Sequence, residues 1–505
     1  MTRRSLFRVL RWVGLAAVAP ALWACNARSL EKPKLTPEQT YGKTFQQTIN
    51  RNVDMLFLVD DSSSMRLSQD NLNRNFPTFM NRLMDPPGLP NIHVGVISSD
   101  MGAGDGSVAS CDATGGKNGI FQYTARGTCT STGLQTGATY ISNIAGVANY
   151  TGNLPDVFTC IAALGESGCG FEHQFASITR ALGVDGFGNA PAENQDFLRP
   201  DAYLVIVLIT NEDDCSASPG QGPNNRIPLF DTSVNTNMAS QLGPPANFRC
   251  NEFGHLCDDG TGTFIHPNRN APNQDVTQTV NYPTCRSNDA EGYLLGVVDT
   301  ANRIKSLKAD PSQVIVAAIT GPAMPYNVKW KAPSATDTSC GAASCPWPVI
   351  DHSCTASDGS FADPSVRIVE FVNQFGANGL VLPICSDNFG PSLDRIAALI
   401  NASLQPPCIA QHVATKAGTQ EPDCAVVSHT SNGLGGFIDS TVPWCGSGAS
   451  PPCWQLDPGA MGCPAPGSIV TVKPDPNVPT STAQNATVNC SLCDPMFPDP
   501  NRGCN

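Results

Sequence analysis

Three oxygen-bearing side chains at alternate positions follow the first strongly apolar run of the chain. Asp60, Ser62 and Ser64 come directly after the run VDMLFLV at 53–59. Hard cations such as Mg²⁺ and Ca²⁺ prefer oxygen ligands. The two hydroxyls can coordinate such an ion without adding charge, while Asp60 supplies negative charge directly or through a water. Because few carboxylates of the protein are used, the ion stays electrophilic and can accept a carboxylate from another molecule.

Two later loops and one strand end hold further candidate ligands. Glu172 lies at a predicted helix start, where it either joins the ion or only complements the helix N-terminus. Asn211, Asp213 and Asp214 follow the most apolar run, and we expect one of them to reach the ion; the alternative is a solvated acidic turn. Asp100 ends another predicted strand and is a candidate outer-shell residue or an ordinary surface carboxylate.

These residues lie between alternating apolar and amphipathic segments. Short, nearly continuous apolar runs are typical of strands buried on both faces of a parallel sheet. Amphipathic segments between them predict helices covering both faces, which defines an α/β class. The predicted strands are 53–59, 92–97, 202–209, 314–319 and 380–384, and the predicted helices are 65–83 (kinked or restarted at Pro77), 171–182, 293–307, 366–375 and 391–400.

The sequence DxSxSM after the strand 53–59 resembles the metal-ion-dependent adhesion site of von Willebrand factor A domains. The resemblance covers residues 50–405 and implies a doubly wound, Rossmann-like sheet with strand order 3-2-1-4-5-6. In such a sheet 53–59 and 202–209 flank the reversal of strand order, where ligands bind. The resemblance further implies Mg²⁺ or Ca²⁺ as cofactor and a protein partner that presents a carboxylate.

Two loops depart from the family pattern. The family's second ligand loop normally supplies a Thr, but the corresponding segment 168–172 contains none, and Glu172 is the possible substitute. The third loop normally begins with Asp, but here Asn211 occupies that position. These departures bear on the affinity and type of metal more than on the fold.

Long insertions and a Cys-rich C-terminal region surround this domain. Segments 103–160, 215–290 and 322–363 exceed the family's usual connections, and their Cys residues predict disulfide-stapled order. The first two are expected either to form a rim that selects the partner or to protect against proteases. Residues 406–505 predict a small β-rich, disulfide-bonded region, tied to the main domain through Cys385, Cys408 or Cys424.

The N-terminus has the features of a bacterial export signal. Residues 1–25 combine a basic head with an apolar core that is too short to span a bilayer. They end in Leu-Trp-Ala-Cys, which resembles a lipobox and predicts lipidation of Cys25. Since the chain has 21 Cys, lipidation of one leaves an even number for disulfides. Residues 26–49 are interpreted as a tether. The signal is compatible with export by the general secretory route and by the twin-arginine route.

Charge and missing motifs exclude several classes of function. The net charge is −13, and removing the four Arg of residues 1–25 leaves −17, so we expect no nucleic-acid partner. Membrane attachment is expected by the lipid anchor only, in a Gram-negative cell envelope with the outer membrane preferred, since Asn26 is not the Asp that favours inner-membrane retention.

No HExxH, GxSxG or Walker A sequence is present, and no GxGxxG follows a predicted strand, so we expect no enzyme. The expected function is adhesion or protein–protein interaction through the metal. The alternative is an envelope scaffold with a degenerate or merely structural metal site, and a weaker alternative is an extracytoplasmic hydrolase.

Overall fold

The computed structural model of the chain describes residues 39–46, 52–85, 89–103, 111, 115–144, 146–186, 188–217, 229–230, 237–244, 246–331, 346–404, 408–431, 437–459, 463, 465–473 and 484–504. The predicted signal at 1–25 and the predicted lipidation of Cys25 lie outside these residues.

Short helices and many short strands build the described part of the chain. The strands are β1 (Gln39–Gln46), β2 (Asn52–Val59), β3 (Asn91–Ser98), β4 (Ile141–Ile144), β5 (Val147–Ala148), β6 (Tyr203–Ile209), β7 (His255–Asp258), β8 (Phe264–Ile265), β9 (Thr279–Tyr282), β10 (Cys285–Ser287), β11 (Val314–Thr320), β12 (Tyr326–Lys331), β13 (Trp347–Ile350), β14 (Cys354–Thr355), β15 (Phe361–Ala362), β16 (Gly379–Pro383), β17 (Cys408–Ile409), β18 (Cys424–Ser431), β19 (Phe437–Thr441), β20 (Cys453–Pro458), β21 (Ser468–Lys473) and β22 (Gln484–Leu492). The helices are α1 (Arg66–Leu83), α2 (Leu154–Ala162), α3 (Gln174–Ala181), α4 (Phe248–Gly254), α5 (Val297–Lys305), α6 (Val366–Asn373) and α7 (Gly390–Ser403).

The central sheet has seven strands in the order β16-β11-β6-β2-β3-β4-β5. Strands β16, β11, β6, β2 and β3 are parallel to one another, and β4 and β5 add two antiparallel strands at one edge. The chain runs from β2 to β3 on one side and later returns to β6 on the other side of β2. All five predicted strands and all five predicted helices are confirmed, and Pro77 lies inside one continuous helix, α1.

Helices cover both faces of this sheet because alternate strand residues point to opposite sides. Phe57 and its same-face neighbours pack against α1, α2 and α7, whereas Leu56 and Leu58 pack against α3, α5 and α6. Phe57 is fully buried and contacts Phe76 and Phe158 edge-on, at centroid distances of 5.8 and 4.9 Å. The domain is therefore a mixed α/β fold with two hydrophobic cores, one on each face of the sheet.

Disulfides staple the insertions, as predicted. They join Cys111 to Cys169, Cys129 to Cys160, Cys215 to Cys250, Cys257 to Cys285, Cys354 to Cys385, Cys408 to Cys463, Cys424 to Cys490, Cys445 to Cys453 and Cys493 to Cys504. The expected tie between the two parts of the chain is wrong for all three candidates. Cys385 pairs within the main domain, and Cys408 and Cys424 pair within the C-terminal region.

The C-terminal region consists of two sheets that share one apolar core. A four-stranded sheet of order β1-β22-β18-β19 lies on a three-stranded sheet of order β17-β21-β20. Val426 and Val488 of the first sheet and Trp454 of the second belong to the same buried cluster. The tether interpretation needs correction here, since residues 39–46 form β1, which pairs antiparallel with the last strand β22. Among the described residues, no helix has the length and apolarity needed to cross a membrane.

Candidate metal site

The carboxyl ends of β2 and β6 meet where the strand order of the central sheet reverses. The two strands are adjacent and parallel, and the amide of Asp60 donates to the Ile209 carbonyl at 3.0 Å. The loop after β2 folds back on itself, with the Met65 amide donating to the Ser62 carbonyl at 3.1 Å. The Gln69 side chain donates to the Asp60 carbonyl at 2.8 Å. These bonds order the backbone of the loop.

Four of the predicted ligands come together at this edge. The hydroxyl oxygens of Ser62 and Ser64 are 3.2 Å apart, and the Ser64 oxygen lies 3.2 Å from the amide oxygen of Asn211. The Asp60 carboxylate accepts the amide of Ser62 at 2.8 Å. Asp60, Ser62 and Asn211 are buried, Ser64 is half-buried, and Ser63 between the two serines is exposed. The donor set therefore reaches the protein surface only on the serine side.

The spacing of these oxygens fits a hard divalent cation. Adjacent corners of an octahedron are about 3.0 Å apart around Mg²⁺ with bonds of about 2.1 Å, and about 3.4 Å apart around Ca²⁺ with bonds of about 2.4 Å. The separations of 3.2 Å lie between these values. Two hydroxyls, an amide oxygen and carboxylates are also the donor types that such ions prefer. The residues present thus fit Mg²⁺ or Ca²⁺.

Glu172 brings a second buried carboxylate against Asp60. The Ser99 hydroxyl donates to one Glu172 oxygen, the other oxygen, Oε1, is buried with no donor among the described residues, and the Glu172 carboxyl lies within hydrogen-bonding reach of Asp60. Burial, reinforced by the nearby charges of Asp60 and Glu212, raises the pKa of Glu172 well above its usual value. Burial also raises the pKa of Asp60, although hydrogen bonds from Ser62 and Thr210 partly lower it. A cation at this point would compensate the charge and give the orphaned oxygen a partner.

A small acidic cavity lies beside this pair. Its volume is about 20 Å³, room for about one water or ion, and Glu172, Glu212 and Asp363 are among its lining residues. Burial, followed by the charges of Asp363 and Asp60, raises the pKa of Glu212 well above its usual value. Asn247 donates to Glu212 at 3.2 Å. Acidic side chains therefore continue from the Asp60–Glu172 pair into the cavity.

Two predicted ligands do not join the site. Asp213 accepts the amides of Arg367 and Ile368 at 2.8 and 3.0 Å, and so caps α6. Asp214 accepts the amide of Phe175 at 3.0 Å in the first turn of α3 and forms a fully buried ion pair with Arg367 at 3.2 Å. Their oxygens hold two helices and an Arg in place, and within the described structure no hydrogen bond joins either residue to Ser62, Ser64 or Asp60, so both are removed from the proposed ligand set.

Asp100, the predicted outer-shell residue, has a local role in its loop. Its carboxylate accepts the Gly102 amide at 2.9 Å, and its amide donates to the Ser98 hydroxyl at 2.9 Å. Ser98 in turn donates to Asp61 at 2.6 Å. Asp61 forms an ion pair with Lys117 and faces Gly168, where a Cβ atom would lie only 2.4 Å from its oxygen. Gly168 is therefore required for the close packing of the second loop on the first.

Sequence reasoning missed Thr210, which touches the site. Its hydroxyl donates to Asp60 at 2.7 Å and accepts from the Gln174 side chain at 3.0 Å. The register could have indicated this residue, because Val59 pairs with Ile209 and the next residues are Asp60 and Thr210. Within the described ranges, no group of three or more His, Cys, Asp or Glu side chains is arranged to hold a metal. The candidate site differs from such groups because three of its five candidate residues, Ser62, Ser64 and Asn211, offer hydroxyl or amide oxygens.

The similarity of this chain to known proteins is weak. No known protein family and no curated protein matches the chain. Similar solved structures include the pilus adhesin SpaC from Lactobacillus rhamnosus GG in an open conformation, at 12% identity and a TM-score of 0.27, and the human COPII-coat protein Sec24c, at 11% and 0.26. Each match covers 93% of this chain but only 43% of the other. The chain thus spans less than half the length of either protein, and at these TM-scores neither likeness carries an argument.

Proposed function

We propose that this chain is a lipid-anchored cell-envelope protein whose von Willebrand factor A-like domain captures a protein partner through Mg²⁺ or Ca²⁺. The partner presents a carboxylate to the ion, and the chain performs no catalysis. Asp60, Ser62 and Ser64 hold the ion, with Glu172 and Asn211 beside them. The envelope location, with the outer membrane preferred, is inferred from the signal at 1–25 and from Cys25 alone.

Strand order supports the family assignment. With the two-residue strand β5 left aside, the central sheet runs β4-β3-β2-β6-β11-β16, which in chain order corresponds to 3-2-1-4-5-6. The third strand of this series, β4, is antiparallel to its neighbour. The DxSxS sequence follows the first strand of the series, beside the reversal of strand order where α/β sheets bind ligands.

One observation carries the proposal for the ion. At the reversal point, the Ser64 oxygen lies about one octahedral edge from the oxygens of Ser62 and Asn211, next to Asp60 and Glu172, two buried carboxylates that form no ion pair with a basic side chain of the described residues. Buried charges of one sign are costly unless a counter-charge is supplied. Lys117 forms its ion pair with Asp61, and its charge acts on Glu172 without a direct ion pair. A bound cation is therefore the simplest compensation, and an ion with mainly neutral ligands retains affinity for an external carboxylate.

Isothermal titration of the full chain with Mg²⁺, Mn²⁺ and Ca²⁺ tests the site. Wild-type protein is expected to bind one equivalent of at least one of these ions, and D60A and S64A are expected to lose that binding. The matched control is S63A, because Ser63 is exposed and has no hydrogen bond to the cluster. Absence of binding at millimolar metal, or equal binding by D60A, would contradict the proposal.

A carboxylate probe tests the open coordination position. Water-proton relaxation enhancement by the Mn²⁺ complex should fall on addition of acetate, since acetate replaces a coordinated water. Acetamide, which has the same shape but no charge, should have little effect. If acetate leaves the relaxation enhancement unchanged, the ion is enclosed by the protein, and capture of a partner carboxylate by the ion is contradicted.

The scaffold alternative is favoured by a specific contact. Both Asp60 oxygens already accept hydrogen bonds, from the Ser62 amide at 2.8 Å and the Thr210 hydroxyl at 2.7 Å. Asp60 can therefore order the loop without any metal. In that case D60A lowers stability, while metal and acetate have no effect on the wild-type protein.

A further inference from the structure

The last disulfide of the chain closes a loop that exposes two large apolar side chains. Cys493 and Cys504 are bonded, and between them Met496 is 80% exposed and Phe497 is 53% exposed. Exposed apolar side chains are common singly, whereas contiguous exposed apolar patches mark contact surfaces. Another adjacent pair among the described residues, Phe264 and Ile265, is less exposed, at 36% and 39%.

Internal hydrogen bonds hold this loop in one conformation. The Met496 amide donates to the Asp494 side chain at 2.8 Å, and the Phe497 amide donates to the Asp494 carbonyl at 3.1 Å. The Cys504 amide donates to the Asp499 carbonyl at 3.0 Å. Since the loop is already ordered, burying its two apolar side chains in a partner costs little conformational entropy.

The loop lies at the end of the C-terminal sheets where the N-terminal segment enters. Gln39, the first residue of β1, pairs with Leu492, the residue before Cys493. Phe497 follows Leu492 by five residues, so it lies within about 18 Å of it. Thirteen residues separate the predicted lipidation site at Cys25 from Gln39, a reach of at most about 50 Å. The loop with the exposed pair therefore follows directly on the strand end that pairs with Gln39, which 13 residues separate from the predicted lipidation site.

We propose that Met496 and Phe497 contact the bilayer that carries the lipid anchor and orient the C-terminal sheets against it. The proposal rests on lipidation of Cys25, which is part of the proposed function. Residues 494–504 contain Asp494, Asp499 and Arg502 but no surplus of basic charge. The contact is therefore made by apolar burial in the headgroup region and not by attraction to anionic lipids, so salt should not weaken it.

Photolabelling of the lipidated full chain tests the contact. The protein is reconstituted in phosphatidylcholine vesicles that contain a diazirine-bearing phosphatidylcholine, irradiated, digested and mapped by mass spectrometry. Lipid adducts on the peptide containing Met496 and Phe497 should exceed those on the peptide containing Phe264 and Ile265 by about tenfold, because burial of a large side chain shifts occupancy by that factor or more. The excess should persist in 0.5 M salt.

Variants separate this contact from the other claims. M496S/F497S should lose the adducts on this loop, whereas F264S/I265S should not change them, and D60A should not change them even if metal-dependent binding fails. Equal labelling of the two peptides, or crosslinks at Met496 between protein copies in place of lipid adducts, would overturn the proposal. An N-terminal peptide without acyl groups on Cys25 would also overturn it, whatever the result at the metal site.

Discussion

Replacement of Glu172 by Gln should have opposite effects on stability with and without metal. Gln has nearly the shape of Glu and can still accept the Ser99 hydroxyl, but it carries no charge. The wild-type protein without metal holds Glu172 and Asp60 together in a buried site, where the pKa of each is raised by burial. E172Q removes one of these two charges. The variant therefore tests whether the two carboxylates together bind a cation.

The expected magnitude follows from the charges. Two unit charges about 4 Å apart at an effective dielectric constant of about 20 repel by about 4 kcal/mol. Proton uptake relieves part of this repulsion, so in chelator at pH 8 we expect E172Q to be more stable than wild type by about 1–2 kcal/mol. With Mg²⁺ at a hundred times its Kd, wild type should gain about 2.7 kcal/mol, and E172Q should gain less than about 1 kcal/mol.

The pH dependence has a definite sign. A carboxyl whose pKa is raised in the folded state binds its proton more tightly in the fold than in the unfolded chain. Its contribution to stability is therefore full below the usual value of 4.5 and is lost as the pH rises through the raised pKa. E172Q does not have this loss, so its advantage in chelator should shrink as the pH is lowered from 8 towards 5.

Urea unfolding followed by circular dichroism, in EDTA and in Mg²⁺, measures both effects. S63A serves as the control and should behave as wild type in both buffers. A variant E172Q that is destabilised by more than about 1 kcal/mol in EDTA and keeps the full Mg²⁺ effect would refute the reasoning. Glu172 would then be a structural acceptor for Ser99 and the loss would reflect the cost of a broken buried hydrogen bond.

Three further predictions concern the framework around the site. Burial lowers the pKa of His93 to about 4, so the folded protein holds this side chain in its neutral form. Because His93 of the unfolded chain binds a proton below about pH 6.5, the folded state loses about 3 kcal/mol of stability as the pH falls from 6.5 to 4. H93Q should therefore show a flatter acid unfolding curve. Arg199 donates to the buried Asp54 carboxylate at 2.7 Å, so R199M should lower the free energy of unfolding by about 3–5 kcal/mol in urea titrations, and R199M/D54N should recover part of it. Replacing both Cys354 and Cys385 by Ser removes a disulfide of sequence separation 31, which should lower the free energy of unfolding by about 3–4 kcal/mol. Mg²⁺ binding should also weaken, since the segment between these two residues contacts Asn211 through the Phe361 carbonyl. An unchanged Mg²⁺ affinity would show that this segment does not support the metal site.

The parallel strands and their helices could be predicted because each strand is a nearly continuous apolar run. A strand that is buried on both faces has apolar side chains at nearly every position, as 53–59 and 203–209 do. The edge strands β4 and β5 were missed since they are short and only partly buried. Strand β1 was interpreted as a tether because QTYGKTFQ is mainly polar. It pairs through its backbone with β22, which is more than 400 residues later in the chain, and local patterns do not report such pairing.

The candidate site could be predicted in part for a similar reason. Asp60, Ser62 and Ser64 follow a recognisable strand, so their positions were set by local sequence. Among the three candidates of the third loop, local sequence could not show that Asn211 lies beside Ser64 while Asp213 and Asp214 hold the first residues of α6 and α3, because these partners come from distant parts of the chain. Carboxylates after a strand serve equally well as helix caps or as ligands, and only the fold distinguishes these roles.

A crystal structure of the full chain grown with Mn²⁺ tests the central claim most directly, through the anomalous signal of the ion. We expect one peak bounded by Ser62, Ser64 and Asp60, with Asn211 or Glu172 nearby and one coordination position filled by water or by a carboxylate from another molecule. A coordination sphere completed entirely by the protein's own side chains, or no peak at this edge of the sheet at millimolar Mn²⁺, would contradict it.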